Sequence, residues 1–227
     1  MTPVEPIMEA AMIWIRGEPS LDFDRAHRLP LFYRRLWGYM QAAIPLFNRP
    51  PEMLVTLRRL SPPRFGSKTL IVPPSGELQG LTDFQLCSAV KIETDELGDP
   101  FAVPLTLRSY DPETGLLTVE EELAPGDRLE LDFSASGSFT DDLDPEACQL
   151  LAFCIYDVWE HRFANNFLER TAKLRDSTFS TVSEASMTQA NTARVAETDR
   201  RLSDLLRTYA DNLEYLRVTG ESRGQVP

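Results

Sequence analysis

Cysteine is scarce in this sequence, with Cys87, Cys148 and Cys154 as the three examples in 227 residues. Cys148 and Cys154 lie six positions apart on the apolar side of a predicted helix, a spacing that matches neither a zinc motif nor a disulfide framework. Such a low content fits a reducing compartment, and a small buried thiol is commoner at such positions than a nucleophile. We therefore expect no catalysis that depends on a thiol.

Histidine is scarcer still, with only His27 and His161. Neither has a second ligand at metal-binding spacing, except that Asp157 and Glu160 share a predicted helix with His161. The sequence also lacks a phosphate-binding glycine loop, a Gly-x-Ser-x-Gly motif and a paired acid signature. We expect His161 to lie on a solvated face, and we expect no catalytic, metal-binding or cofactor-binding residues. The chain is not predicted to be an enzyme.

Positive charge and long apolar runs are also lacking. The chain has 23 basic and 35 acidic residues, a net charge of -12. Nucleic-acid coating and binding to anionic membranes both need a positive surface, so both are disfavoured. No apolar run reaches the roughly 18 residues of a membrane helix, and the first 20 residues do not have the pattern of a signal peptide. With 42% apolar residues, the chain is predicted to be soluble and to fold around a hydrophobic core.

Proline and glycine are absent between Pro145 and Gly220, in a chain with 17 prolines. Asp144 suits a helix N-cap, with Pro145 at the first helical position. The region predicts a long helical hairpin over residues 144–217, with a polar connection at residues 175–178. Its apolar residues recur at helical spacing in two runs: Leu151, Ile155, Trp159, Phe163 and Phe167, then Leu202, Leu206, Tyr209, Leu213 and Leu216.

The rest of the chain has two kinds of pattern. Residues 6–16 and 31–44 have apolar residues at helical spacing and end at glycine or proline, which predicts two N-terminal helices. From Glu52 to about Phe139 the pattern alternates and is interrupted by proline pairs, which predicts a β region. Its clearest part is a predicted three-stranded meander of Leu105–Tyr110, Leu116–Leu123 and Arg128–Phe133.

Together these patterns predict an α+β fold. Residues 1–51 and 140–217 are predicted to form a helical bundle built on the long C-terminal helical hairpin. Tryptophans on both sets of helices favour their packing together. Residues 52–139 are predicted to be an inserted antiparallel β domain whose ends lie close together. Residues 218–227 are predicted to be a flexible C-terminal tail that a partner orders.

Acidic residues are concentrated in the predicted β insert. Residues 51–143 contain 17 acidic and 7 basic residues, which accounts for ten of the twelve net negative charges. Within this region, Glu120, Glu121 and Glu122 are predicted to lie in a strand and to form an exposed acidic edge that resists unwanted strand pairing.

Two stretches resemble proteins of tailed bacteriophages. Tyr110–Thr118, followed by Ala124–Asp127, resembles a hairpin that recurs in virion proteins. Gly137–Leu143 and the helical residues that follow it are similar to head-to-tail neck proteins. Those later residues are Leu151, Ala152, Trp159, Asp176, Phe179, Ser183 and Ala185. The order of helices, β insert and helical hairpin is similar to that of the adaptor (connector) proteins that form a ring beneath the phage portal.

This resemblance implies a structural virion protein that assembles in the cytoplasm of the bacterial host. It implies a homo-oligomeric ring, commonly of twelve copies, that docks on the portal, extends the DNA channel and offers a platform to the tail. An acidic lumen lets DNA pass without sequence-specific binding. The expected partner interface combines apolar helix positions with the C-terminal tail: Leu206, Tyr209, Leu213, Val218, Gln225 and Val226.

The position in the virion and the class of protein both stay open. The resemblance fits an adaptor, a neck protein or a component further down the tail. The alternative is a non-viral bacterial scaffold or accessory protein that binds one partner through the helical hairpin and another through the β insert. A mass measurement separates these classes, because a ring former assembles whereas a scaffold remains a small oligomer.

Overall fold

The computed structural model of the chain describes residues 1–15, 18–174 and 181–219, with side chains described except at 27, 166–174 and 181–187. It is 48% helical and 24% strand and has a long C-terminal helix, which confirms the predicted α+β class. The helices are α1 (Glu5–Ala11), α2 (Pro19–His27), α3 (Leu29–Ala43), α4 (Pro51–Arg58), α5 (Pro145–Leu174) and α6 (Thr181–Thr219). The strands are β1 (Thr2–Pro3), β2 (Leu60–Ser61), β3 (Arg64–Ile71), β4 (Leu78–Gln79), β5 (Gln85–Thr94), β6 (Pro100–Pro104), β7 (Leu107–Tyr110), β8 (Leu116–Val119), β9 (Arg128–Ala135) and β10 (Ser138–Phe139).

The described residues pack as two compact units. The helical unit comprises Met1–Arg16, Leu36–Ser61 and Phe139–Pro227. The β unit comprises Gly17–Arg35 and Pro62–Ser138. Each has its own set of buried apolar side chains.

The start of α5 follows the predicted capping pattern. Asp144 Oδ1 accepts a hydrogen bond of 2.9 Å from the backbone N–H of Ala147, and the helix begins at Pro145. This bond satisfies one of the amides that have no partner inside the first turn. The prediction that a helix begins here is confirmed. The predicted polar connection at residues 175–178 lies outside the described residues.

Helices α5 and α6 pack against each other in antiparallel order. Asp144, at the start of α5, bonds to Tyr209 late in α6. Further along α5, Glu160 pairs with Arg194, which lies earlier in α6. The contact that lies later in α5 thus lies earlier in α6, which shows that the two helices run in opposite directions.

The N-terminal helix packs on α5. Its buried residues are Ile7, Met8 and Ala11, and beyond its end the Trp14 ring lies edge-on to Phe153 at 5.5 Å between centroids. This confirms the predicted packing of the N-terminal helix on the long C-terminal region. The helix predicted over residues 6–16 is shorter than expected, because α1 ends at Ala11 and the chain then turns.

A small sheet lies where the chain leaves the helical unit after Ser61 and returns to it at Phe139. Its strand order is β1-β10-β2. Just outside these strands, the Thr140 N–H donates a 2.9 Å hydrogen bond to the Arg59 carbonyl. The two ends of the intervening segment are therefore held side by side.

The β unit contains two antiparallel sheets. One has the order β3-β9-β5-β6 and the other β4-β8-β7. Side chains alternate along β9, so that Leu129, Leu131 and Phe133 are buried. They share one core with Leu78 and Leu117 of the other sheet.

The predicted meander is only partly correct. Strands β7 and β8 pair as expected, but β9 belongs to the other sheet. The turn before β9 explains the difference. There, Gly126 N–H donates to the Val72 carbonyl, and Val72 N–H donates to the Asp127 carbonyl, both at 2.9 Å. These bonds lead the chain onto the end of β3 instead of back along β8.

Two helices were not predicted from the sequence. Helix α4 begins one residue before the predicted β region, with Pro51 at its first position, Glu52 in its first turn and Leu57 buried. Pro51 and Glu52 are a helix-start signal that the proline-rich context obscured. Helix α2, which begins at Pro19, was not predicted either, because its residues are mostly polar and few apolar positions mark it in the sequence.

Candidate functional site

A cavity of about 450 Å³ lies within the helical unit, between α5, α6 and the segment that follows α3. Its apolar wall includes Leu46, Leu202 and Leu206. Its polar residues are Asn48, Arg49, Asp157, His161, Asp199 and Ser203. Titratable groups that converge in one cavity are the usual mark of a binding site, so this is the candidate site.

Three of these side chains form a cluster. Asp157 and His161 are four residues apart on α5, so they point from the same face of the helix. Asp199 comes from α6, and its Oδ1 lies 2.7 Å from His161 Nε2. One ligand atom from each of the three residues lies within 4.8 Å of the other two. The antiparallel packing of the helices creates this arrangement.

Asp157 is the most unusual member of the cluster. Its side chain is 3% exposed, and its Oδ1 has no hydrogen-bond partner among the described residues. Burial, and after it the neighbouring negative charge of Asp199, together raise the pKa of this carboxyl group to about 6. A buried carboxylate oxygen without a hydrogen bond is costly, because its desolvation is not repaid.

Glu160, three residues further along α5, has a different environment. It is 1% exposed, yet its carboxylate pairs with Arg194 Nε. The Arg194 guanidinium also lies 5.7 Å from the centroid of the Phe163 ring. Of the two buried carboxylates on this stretch of α5, Glu160 therefore has a charge partner from α6, whereas Asp157 faces a second carboxylate.

The sequence did not predict this site, because one of its three side chains, Asp199, comes from a different helix. The prediction that His161 lies on a solvated face is confirmed, since 46% of its side chain is accessible to solvent. No pattern of residues indicated that Asp199, 38 positions away, faces it. The Asp157-to-His161 spacing on one helix was the only available signal. The side chain of His27 lies outside the described residues.

The cysteines are placed where thiolates are disfavoured. Cys154 is buried, and burial raises its pKa; burial also raises the pKa of Cys148. Cys87 lies in the β unit, where burial raises its pKa and its Sγ is 2.9 Å from Ser134 Oγ. A raised pKa leaves little of the thiolate, which is the nucleophilic form.

The acidic run in the β unit differs from its prediction. Strand β8 ends at Val119, so Glu120–Glu122 do not continue the strand. The Glu121 carboxylate accepts hydrogen bonds from the Thr106 N–H, at 2.8 Å to Oε1 and 3.0 Å to Oε2. Hydrogen bonds from the side chain and backbone of Thr106 lower the pKa of Glu121. This residue therefore holds a local backbone contact instead of forming a free acidic edge.

The residues of the predicted partner interface differ in how far they are exposed to solvent. Leu206 and Tyr209 are buried in the helical unit, where they pack within the chain. Leu213 is half-buried and Val218 is 81% exposed. Gln225 and Val226 lie outside the described residues. Leu213 and Val218 also line a second cavity of about 530 Å³, together with Arg49, Pro50, Pro51, Glu52, Ala210, Glu214 and Arg217.

Among the helices that the structure describes, none combines the length and apolar character needed to cross a membrane. Comparisons of this chain with protein-family models, curated proteins and solved structures gave no match.

Proposed function

We propose that this chain is a structural protein of a tailed phage. It forms an adaptor or neck ring that joins the portal to the tail and extends the DNA channel. The proposal rests on the sequence resemblance and includes a finer architecture. In that architecture α5 and α6 form a helical hairpin, and the β unit contains an inserted domain. The protein acts in the virion, after assembly in the host cytoplasm, and has no catalytic role.

The observation that carries this proposal is the junction near Arg59 and Thr140. A 2.9 Å backbone hydrogen bond and the neighbouring strands β2 and β10 hold the two ends of the β segment together. Such a junction allows each unit to keep its own core. A connector needs separate surfaces for two different partners, and two independently packed units supply them.

Surface features support the assignment of the helical unit to partner contact. Tyr215 and Val218, near the end of α6, are 61% and 81% exposed. Large exposed apolar side chains close together are typical of protein contact sites. The residues that follow, with Gln225 and Val226, complete the proposed interface.

The excess of negative charge supports a role in which the protein lies beside DNA but does not bind it. Residues 51–143 contain an excess of ten acidic residues. An acidic surface repels the phosphate backbone, so DNA passes a channel lined by it without being bound. Sequence-specific DNA recognition is not part of the proposed function.

Mass measurement and particle binding test the proposal. We expect native mass spectrometry, alone or with portal-containing particles, to detect rings of about twelve times the 25.7 kDa chain mass. Tyr215→Asp with Val218→Asp should abolish joining to the particles. Asp211→Asn, an exposed change on the same helix, serves as the control and should leave it intact.

The alternative scaffold function predicts a different result. A bacterial scaffold or accessory protein remains a small oligomer and does not join portal-containing particles. Portal, capsid and tail genes beside the gene for this chain support the phage function. Hydrolytic or transferase activity in the purified full-length protein contradicts a purely structural role.

A further inference from the structure

We propose that Asp157, His161 and Asp199 bind a divalent first-row transition-metal ion, with Zn²⁺ as the ion that fits best. The site lies in the helical unit and goes beyond the proposed connector function. It depends on the contact between α5 and α6 in one chain and does not require ring formation.

The donor atoms select the class of ion. An imidazole nitrogen and two carboxylate oxygens suit Zn²⁺, Mn²⁺ or Fe²⁺, whereas Mg²⁺ and Ca²⁺ prefer oxygen ligands alone. Three protein ligands leave a coordination position for water or for a further ligand. The affinity of such sites rises toward the end of the first-row series, which favours Zn²⁺ over Mn²⁺.

The geometry requires only small side-chain adjustments. Ligand atoms about 2.0–2.2 Å from a tetrahedral Zn²⁺ lie about 3.3 Å from one another. In the cluster, His161 Nε2 and Asp199 Oδ1 are 2.7 Å apart, and no pair of the three ligand atoms exceeds 4.8 Å. The observed separations thus bracket the distance that an ion imposes. Asp157 and His161 already share one helix face, so no backbone rearrangement is needed.

The environment of Asp157 points independently to a cation. Its side chain is 97% buried, and Oδ1 has no hydrogen-bond partner among the described residues. Buried polar atoms are nearly always paired, so an unpaired carboxylate oxygen requires an explanation. Its neighbour Glu160 satisfies the rule through Arg194. A metal ion supplies for Asp157 the positive charge that Arg194 supplies for Glu160.

The site is open to solvent from the other side. The side chains of His161 and Asp199 are 46% and 50% exposed, and the cavity of about 450 Å³ gives an ion and its water a route in. Arg49 also lines this cavity. Asp199 already contacts His161, so binding an ion requires these two side chains to turn their Oδ1 and Nε2 atoms toward the ion instead of toward each other.

Isothermal titration calorimetry on chelator-treated full-length protein tests the proposal. We expect Zn²⁺ and, more weakly, Mn²⁺ to bind at one equivalent per chain. Asp199→Asn and His161→Gln should each weaken Zn²⁺ binding by at least about tenfold, the lower limit for disturbing a metal's immediate surroundings. Asp204→Asn is the matched control, because it removes an exposed carboxylate from the same helix that pairs with Arg200 instead. The control should bind Zn²⁺ like the wild type.

A second readout separates binding at this site from binding elsewhere. The visible absorption of bound Co²⁺ should change in His161→Gln and stay unchanged in Cys148→Ser, which excludes Cys148 as a ligand. Circular dichroism shows whether each variant is folded, and His161→Gln is the safest test because its side chain is half exposed. Absence of saturable Zn²⁺ binding overturns the proposal. Equal affinity in the wild type, Asp199→Asn and His161→Gln also overturns it, as does a preference for Mg²⁺ or Ca²⁺.

Discussion

The Tyr209 hydroxyl on α6 donates a 2.8 Å hydrogen bond to Oδ2 of Asp144, the residue that caps α5. One carboxylate thus serves two purposes, because its other oxygen accepts the Ala147 N–H. The Tyr209 ring is 1% exposed and lies edge-on to Phe47 at 5.5 Å. This contact fixes the beginning of α5 against the later part of α6.

The hydrogen bond of Tyr209 predicts a measurable loss of stability. Tyr209→Phe keeps the ring but removes the donor, so we expect the free energy of unfolding to fall by about 1.5–3 kcal/mol, as for bonds to charged groups. Tyr215→Phe is the matched control, since its side chain is 61% exposed on the same helix, and it should change stability by less than about 0.5 kcal/mol. Urea denaturation measures both. Equal effects of the two substitutions contradict the prediction.

Trp159 is predicted to be a major contributor to the core of the helical unit. It is 5% exposed and stacks between Tyr156 and Phe163, at 5.9 and 5.2 Å between ring centroids. Trp159→Ala should cost about 3–5 kcal/mol, because it leaves a cavity that the neighbouring rings cannot fill. The exposed Asn165→Ala on the same helix should change stability by less than about 0.5 kcal/mol. Chemical denaturation measures both variants. Similar midpoints for the two would contradict the assignment of Trp159 to the core of the helical unit.

Two glycines should respond to alanine in opposite directions. A Cβ at Gly80 lies 2.8 Å from Phe133 Cζ and 3.1 Å from Tyr110 Cε2, so Gly80→Ala should destabilise the β unit by about 1–3 kcal/mol. A Cβ at Gly38, exposed inside α3, meets nothing within 4 Å. Gly38→Ala should therefore stabilise the protein by about 0.5–1 kcal/mol by restricting the unfolded chain. Thermal melts that shift in the same direction contradict this assignment.

Acid should destabilise the β unit through carboxylates that hold its turns. Hydrogen bonds from the Thr114 side chain, from Thr106 and from the Ala124 N–H are the main causes that lower the pKa of Asp111, Glu121 and Asp127, respectively. A lowered folded-state pKa means that the unfolded state binds protons first. Their stabilisation is therefore present above the ordinary carboxyl pKa of about 4 and is lost as the pH falls through the folded-state values.

Urea denaturation between pH 7 and pH 2 measures this effect. Asp127→Asn should reduce the loss of stability on acidification, because Asn does not titrate. Glu96→Gln is the control, an exposed carboxylate for which the described residues show no hydrogen bond or ion pair, and it should keep the wild-type pH dependence. A wild-type β unit that is equally stable at pH 7 and pH 2 contradicts the argument.

The C-terminal tail is predicted to serve attachment and not folding. A truncation ending at Arg217 removes Val218, which is 81% exposed, and the residues after it. We expect unchanged circular dichroism and melting temperature, but loss of joining to portal-containing particles. Leu97→Asp, at an exposed apolar position in the β unit, is the control and should keep this attachment. A truncated protein that still joins normally removes the tail from the proposed interface.

The sequence was sufficient for features that depend on nearby residues. The cap at Asp144, the start of α5 at Pro145 and the β7–β8 hairpin all follow from local chemistry. Each involves residues a few positions apart, so the pattern of side chains and the backbone preference act together. The α+β class followed from the same kind of signal.

Features that depend on residues far apart in the chain arise only when the helices pack together. The sequence placed Asp157 and His161 on one helix, but only the antiparallel packing of α6 brought Asp199 to them. It also buried Tyr209, which the sequence pattern assigned to a partner surface. Periodicity shows which residues share a helix face, whereas the element that covers that face is set by the packing of the whole unit. Helix α5 therefore follows from its own residues, whereas the cluster of Asp157, His161 and Asp199 forms only because α6 packs against α5.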